Sequence, residues 1–84
     1  MVNFTTILDN STMLLKQRLK NIGINIKSER IRAGISQEEL AERCEISRNL
    51  ISLIETGKIN PTIIKVIDIS KALNVDINVL IRES

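Results

Sequence analysis

The stretch from Ser36 to Gly57 constrains the fold of this chain more than any other part of its sequence. Ser36 followed by Glu39 is the capping-box pattern that begins a helix, and the apolar side of that helix ends near Cys44. Ser47 then supplies a second N-cap, and Gly57 marks the end of the helix that follows. The segment therefore predicts two short helices joined by a tight turn.

Helical spacing also occurs on both sides of this pair. Upstream, a stripe that ends just before Gly34 consists of Ile22, Ile26, Arg30 and Ala33. Downstream, the turn at residues 60–62 precedes a stripe formed by Ile63, Val66, Ile69, Ser70 and Leu73, which predicts a helix over residues 63–73. Asp76 is expected to cap a fifth helix from residue 77 to about residue 82. The pattern indicates an all-α chain of five or six short helices.

The first twenty residues show no clear period. Residues 1–10 are expected to be irregular or a short strand. Ser11 or Thr12 is expected to cap a helix that carries Met13, Leu14 and Leu15, and this helix either runs into the next one or breaks near Gly23. We therefore divide the chain into an N-terminal extension over residues 1–20, which could be partly helical, and a domain over residues 21–84.

Composition limits the classes of protein to consider. The chain is 43% hydrophobic with Phe4 as its single aromatic residue, so its core must be aliphatic, and Cys44 is expected to fill a slot in that core. With one cysteine and no histidine, we expect no disulfide, no metal site and no cofactor. No apolar run approaches the roughly 18–20 residues of a membrane span, and Asp9 and Asn10 interrupt any secretory signal. The cytosol is therefore the expected compartment.

The net charge of +2 is small for a nucleic-acid binder, so the distribution of charge matters more than its sum. Between residues 27 and 58 the basic residues are matched by six glutamates. The surplus lies in the first twenty residues, where Lys16, Arg18 and Lys20 outweigh Asp9. We interpret this basic segment as a solvated helix face in preference to a DNA-binding arm.

From about residue 22 to residue 81 the chain resembles the phage repressor and Cro-type (XRE) family of helix-turn-helix proteins. The resemblance rests on S-Q-x-x-L-A from Ser36 to Ala41 followed by I-S-x-I-E-x-G from Ile51 to Gly57, together with Ile26, Arg30, Gly34, Ile46-Ser47, Pro61-Thr62 and Ala72-Leu73. The first motif alone would be weak, but the two at this distance are specific. The resemblance implies a compact five- to six-helix bundle of the lambda-repressor type whose third helix enters the DNA major groove.

The start of that third helix carries the residue types that read base edges. Arg suits a bidentate contact with guanine and Asn one with adenine, and an apolar side chain can contact the methyl group of thymine. We therefore predict base contacts from Arg48, Asn49, Ser52 and Leu53. The alternatives are that the first two are solvated polar residues, that Ser52 only permits close approach, and that Leu53 serves packing or a dimer contact.

Other roles follow from the resemblance. The position of Gln37 donates to a phosphate in this family, and we predict further phosphate contacts from Ser47, Lys58, Asn60, Lys27 and Arg43. Arg30 and Glu55 occupy positions that form a partly buried ion pair in the family, so we assign them a structural role. Many members have glycine in the turn where this chain has Glu45, which is strained there if its φ is positive.

The C-terminal half is richer in isoleucine than one small core requires. We predict that the surplus forms a homodimer interface through Ile59, Ile64, Ile67, Ile77, Leu80 and Ile81. Dimerisation would also suit paired DNA half-sites one helical turn apart. The alternative is that the N-terminal segment covers this surface, through Phe4, Ile7, Leu8, Met13, Leu14 or Leu15.

The leading hypothesis is a dimeric, sequence-specific regulator that binds double-stranded DNA. The resemblance implies a Cro-like repressor, a restriction–modification controller or an autoregulating antitoxin. The second hypothesis is a protein-interaction module that uses the same fold to bind a toxin or an antagonist protein. An enzyme is the least favoured reading, because the chain has no histidine, no phosphate-binding glycine loop and no plausible pairing of a nucleophile with a base.

Overall fold

The computed structural model describes the backbone of residues 4–83 and the side chains of residues 12–83. Over this range the chain forms five α-helices and no strand: α1 (Phe4–Arg32), α2 (Gln37–Cys44), α3 (Arg48–Glu55), α4 (Ile63–Leu73) and α5 (Ile77–Ile81). The predicted all-α fold is confirmed, and the ends of α2, α3 and α4 match the predicted ones. Within this part of the chain, no helix is long and apolar enough to cross a membrane.

Each helix from α2 to α5 begins at a side chain that caps it. The capping oxygens accept backbone N–H groups at distances between 2.8 and 3.2 Å and belong to Ser36, Ser47, Thr62 and Asp76. A cap satisfies one of the N–H groups that a helix leaves unpaired at its start. These four residues therefore fix where the short helices begin.

The turn between α2 and α3 keeps the geometry of a glycine-terminated helix although it contains Glu45. The φ of Glu45 is 56°, in the left-handed region. Its N–H donates to the Glu42 carbonyl at 3.2 Å, and the Ile46 N–H donates to the Ala41 carbonyl at 3.0 Å. This is the Schellman pattern, which places the strain of a non-glycine residue, about 1 kcal/mol, in the turn itself.

The structure corrects the expectation for the N-terminal segment. Residues 4–10 are helical, not irregular or extended, and residues 1–3 lie outside the described range. Ser11 and Thr12 lie inside α1, so neither begins a helix, and α1 does not break at Gly23. The physical reason is that extending a helix is far easier than nucleating one, and the packed half of α1 supplies the nucleus. Because α1 runs across residue 20, the division into extension and domain stays a prediction.

The core is aliphatic, as predicted. Its fully buried side chains are Ile26, Leu40, Ile51, Ile54, Ile69 and Leu80. The assignment of Leu80 to a dimer interface is therefore wrong, because this side chain is 0% exposed in a single chain. Its burial follows from the way α5 is held against α1, where the Asn25 amide donates to the carbonyls of Leu80 and Arg82 at 3.0 and 2.9 Å. Ile63, placed in the buried stripe of α4, is instead 61% exposed at the first position of that helix.

Two glycines allow α1 to cross α3 at very short range. A Cβ added to Gly23 would lie 2.5 Å from the carbonyl oxygens of Ile54 and Glu55. A Cβ on Gly57, whose φ is 70°, would lie 2.9 Å from the Cα of Lys20. With 29 residues α1 is about 44 Å long. The molecule measures 49 × 23 × 19 Å, so the first half of α1 projects beyond the bundle.

Candidate nucleic-acid interface

The first turn of α3 presents polar side chains to solvent. Arg48 and Asn49 are exposed, and Ser52 and Leu53, further along the helix, are partly buried. The guanidinium of Arg48 lies 3.7 Å from the carboxylate of Glu38 on α2, and both side chains are more than half exposed. A pair so exposed contributes little, about 0–1 kcal/mol, so it does not prevent Arg48 from reaching another partner.

The last turn of α3 is held by a buried carboxylate. The side chain of Glu55 is 1% exposed, and Arg30 contacts both of its oxygens, from Nε at 2.7 Å and from Nη2 at 3.1 Å. The remaining Arg30 nitrogen donates to the Ile35 carbonyl at 2.9 Å, just before α2 begins. The predicted Arg30–Glu55 ion pair is thus present, and it joins α1, α3 and the start of α2.

Gln37 belongs to the same network, which sequence reasoning missed. Its Nε2 donates to Glu55 at 3.0 Å, across eighteen positions of the chain, and no local spacing signals such a contact. One amide nitrogen carries two donor hydrogens, so Gln37 can hold Glu55 with one and a phosphate with the other. Glu38 and Glu39 lie in the same first turn of α2, where carboxylates oppose the approach of a phosphate. The Gln37 amide is therefore the group on which a phosphate contact here depends.

The other predicted phosphate ligands fall into two groups. Ser47, Lys58, Asn60 and Lys27 are exposed, and none of the four forms an ion pair within the described residues. Arg43 lies at the opposite end of α2 from Gln37, where it donates to the Ala72 carbonyl at 3.2 Å and pairs with Glu39 at 3.5 Å. The contact with Ala72 joins α2 to α4, so we leave Arg43 out of the proposed DNA interface.

The predicted dimer surface is only partly available. Ile64 and Ile81 are 61% and 44% exposed, and Ile67 is partly exposed one turn after Ile64. Ile59 and Ile77 are partly buried because they pack against the core. The exposed Ile63 was missed because the helical spacing of α4 groups it with buried residues. The apolar surface of α4 and α5 therefore comprises Ile63, Ile64, Ile67 and Ile81.

Cys44 lies at the end of α2 and packs partly against the core. Burial raises the pKa of its thiol above the ordinary value, and the carboxylate of Asp68 adds to this rise. A raised pKa keeps the thiol protonated at neutral pH and makes it a poor nucleophile. The side chain therefore has the character of a small core residue.

Helices α2 and α3 are short and are joined by a tight turn. The second helix is anchored at its last turn, and its first turn is exposed and polar. This arrangement defines a helix-turn-helix DNA-binding protein. The chain belongs to the helix-turn-helix family of the XRE type, and the sequence profile of that family matches residues 26–80. Membership of this family makes the chain a DNA-binding regulator of transcription.

Related sequences and structures agree with this assignment. An uncharacterised HTH-type transcriptional regulator from Sinorhizobium fredii is 36% identical over 56 residues, which is 67% of this chain and 73% of that protein. One from Methanothermobacter thermautotrophicus is 40% identical over 48 residues, 57% of this chain and 70% of that protein.

Two crystal structures have the same fold. The restriction-modification controller protein C.AhdI from Aeromonas hydrophila has a TM-score of 0.75 and 25% identity, over 77% of this chain and 94% of that one. The hypothetical transcription factor NHTF from Neisseria has a TM-score of 0.73 and 29% identity, over 80% and 78% of the two chains. The similarity therefore extends over most of the described fold.

Proposed function

We propose that this protein acts as a homodimer that binds a palindromic operator in double-stranded DNA and regulates transcription from it. The observation that carries the proposal is the exposure of Arg48 and Asn49 at the first turn of a helix whose other end is fixed by Glu55. In this reading Arg48 and Asn49 contact base edges, and Ser52 and Leu53 lie against the same stretch of the groove.

Phosphate contacts would position this helix on the duplex. Gln37 and Ser47 stand at the starts of α2 and α3, and Lys58 and Asn60 in the loop after α3. The hydroxyl oxygen of Ser47 accepts the Leu50 N–H at 3.1 Å, which leaves its O–H free to donate. Groups on both sides of α3 would then bind the DNA backbone and fix the register of the base contacts.

A dimer is supported by the exposed isoleucines of α4 and α5. The exposed isoleucines at positions 63, 64 and 67 of α4 and 81 of α5 leave apolar surface that a second copy would cover. A two-fold dimer presents two α3 helices to half-sites one helical turn apart, which is why a palindrome is expected.

Three regulatory roles suit such a dimer: a Cro-like repressor, a restriction–modification controller and an autoregulating antitoxin. The likeness in fold to the controller C.AhdI supports the second and makes it the role to test first. The expected location for each of these is the cytoplasm.

One observation favours a different function. Glu38 stands beside Arg48, and Glu39 follows it in the first turn of α2, so the two carboxylates reduce the positive potential of the surface that would face DNA. A protein-interaction module that binds a toxin or an antagonist protein would tolerate these carboxylates. The two functions differ in the salt dependence of binding, because a DNA complex weakens steeply as counterions are added.

The experiment that tests the proposal is selection of bound duplexes from a random pool at about 0.15 M salt, which is near physiological ionic strength. An enriched palindromic motif with half-sites about one helical turn apart, 10–10.5 base pairs, is the expected result. Absence of any enriched motif from folded protein would reject DNA recognition and direct the search to a protein partner.

The dimer needs its own test. Ile64→Asp should shift the mass measured by light scattering from dimer to monomer, because a carboxylate is placed in an apolar interface. Ile24→Asp is the matched control, since Ile24 is 58% exposed on α1. A dimer that survives Ile64→Asp with wild-type affinity would place the interface elsewhere.

A further inference from the structure

A groove of about 620 Å³ lies between the projecting half of α1 and the loop that follows α3. We propose that this groove binds backbone phosphates of the duplex and extends the DNA interface beyond the helix-turn-helix. Its lining consists of three lysines, two polar residues and three others, namely Lys16, Lys20, Lys58, Gln17, Thr56, Met13, Leu19 and Gly57. The proposal rests on the proposed function, because it assigns the groove to the same DNA.

The lysines of the groove are among the basic side chains that form no ion pair within residues 12–83. Five of the six arginines lie within 2.7–3.7 Å of a carboxylate, namely Arg18, Arg30, Arg32, Arg43 and Arg48. No lysine among residues 12–83 forms such a pair. Three of the six lysines line this one groove, and no carboxylate among the side chains of residues 12–83 does. The groove is therefore strongly positive although the net charge of the protein is only +2.

Helical geometry makes the groove continuous with the proposed interface. Lys16, Lys20 and Lys27 share one face of α1, since residues four and seven apart lie above one another on a helix. Gly23, on the same face, is the residue that touches the last turn of α3. Lys58 begins the loop beyond that turn. Lys27 and Lys58 are both proposed phosphate ligands. Lys16 and Lys20, which had no proposed DNA contact, therefore lie next to them.

The chemistry of the site matches phosphate. Lysine carries a compact charge on a flexible stem, so it can follow a phosphate whose exact position varies with the sequence of the duplex. Duplex DNA offers a dense row of single negative charges, which a row of lysines on a rigid helix complements.

This assignment changes the interpretation of the basic N-terminal segment. Sequence reasoning favoured a solvated helix face over a DNA-binding arm. The structure shows a continuous helix that places its lysines beside the loop after α3. The segment thus contributes to DNA binding as a rigid part of the domain, by charge and without reading bases.

The test is the salt dependence of binding to the selected operator, measured by fluorescence anisotropy on duplexes with flanking sequence. The variant Lys16→Gln/Lys20→Gln should lower the slope of log K against log [salt] by about 3.6, since the bound dimer loses four phosphate contacts and each contributes about 0.9. The control Lys71→Gln/Arg82→Gln removes the same charge at the ends of α4 and α5, away from the groove, and should change the slope little. The enriched motif should be the same for all three proteins.

The outcomes separate this proposal from the proposed function. The fold of the Lys16/Lys20 variant is checked by circular dichroism. If wild type binds the operator and the variant has an unchanged slope, only the proposal that the groove binds phosphates is overturned. Equal slope changes in both variants overturn it as well, because the effect is then one of net charge. If wild-type protein selects no motif, the proposed function itself fails. A changed motif in the Lys16/Lys20 variant contradicts binding by charge.

Discussion

The two ends of α3 have opposite environments within eight residues. At the first turn Arg48 and Asn49 are exposed, and the one ion pair there joins two exposed side chains 3.7 Å apart. At the last turn Glu55 is buried, receives two bonds from Arg30 and one from Gln37, and lies where α1 crosses α3. We therefore expect the exposed Arg48 and Asn49 to tolerate substitution with little effect on folding, and the buried Glu55 not to tolerate it.

The difference shows how a small domain divides stability from recognition. A helix this short is not stable by itself, so it must be fixed by tertiary contacts. Here those contacts are concentrated at the end away from the proposed base contacts. We therefore expect substitutions in the last turn of α3 to affect mainly stability. Towards the first turn, substitutions should affect stability less and DNA recognition more.

The largest expected effect on stability comes from the buried carboxylate. Glu55→Ala leaves the guanidinium of Arg30, whose side chain is 11% exposed, without its partner. We expect a loss of about 3–5 kcal/mol in the free energy of unfolding, measured by urea denaturation. Glu38→Ala, which removes the exposed partner of Arg48, is the matched control and should cost no more than about 1 kcal/mol. Equal losses in the two variants would contradict the division between the ends of α3.

A second test removes the close approach of α1 to α3. Gly→Ala inside a helix normally stabilises by about 1 kcal/mol. Gly23→Ala should instead destabilise by about 1–3 kcal/mol, because its Cβ would meet two backbone carbonyl oxygens at 2.5 Å. Gly34→Ala is the control, since no atom lies within 4 Å of its added Cβ and only its φ of 73° is unfavourable. A stabilised Gly23→Ala protein would show that the helices do not cross as described.

The cap at the exposed end should have a smaller effect. Ser47→Ala removes the acceptor of the Leu50 N–H and should lower stability by about 1 kcal/mol. Ser47→Asn restores a capping side chain and should recover most of that loss. Thermal denaturation of the three proteins measures both effects, and an Ala variant as stable as wild type would remove the cap from the account.

The sequence was sufficient for the parts of the fold that local chemistry decides. Caps at Ser36 and Ser47 and the turn at residues 60–62, together with helical spacing, predicted α2, α3 and α4 closely. Local patterns failed where the environment is set by distant residues. The local sequence does not distinguish the buried Leu80 from the exposed Ile81 beside it. The burial of Leu80 depends on α1, where Asn25, 55 positions away, donates to its carbonyl.

The candidate site shows the same limit. Residue type and position at a helix start sufficed to predict that Arg48 and Asn49 are exposed. The contact of Gln37 with Glu55 and the juxtaposition of Lys16 with Lys58 depend on how α1 packs across α3. No spacing of residues along the chain indicates that packing, so these parts of the site could not be predicted from the sequence.

The central claim is that Arg48 and Asn49, in the first turn of α3, read bases without contributing to stability. Its most direct test is Arg48→Ala, compared with Lys58→Ala, on the selected operator and on duplexes with each base pair changed in turn. Arg48→Ala should leave the free energy of unfolding within about 0.5 kcal/mol of wild type. It should also abolish a preference of about 1–3 kcal/mol at one base pair of each half-site. Lys58→Ala should weaken all duplexes alike, and an Arg48→Ala protein that does the same while keeping every base preference would contradict the account.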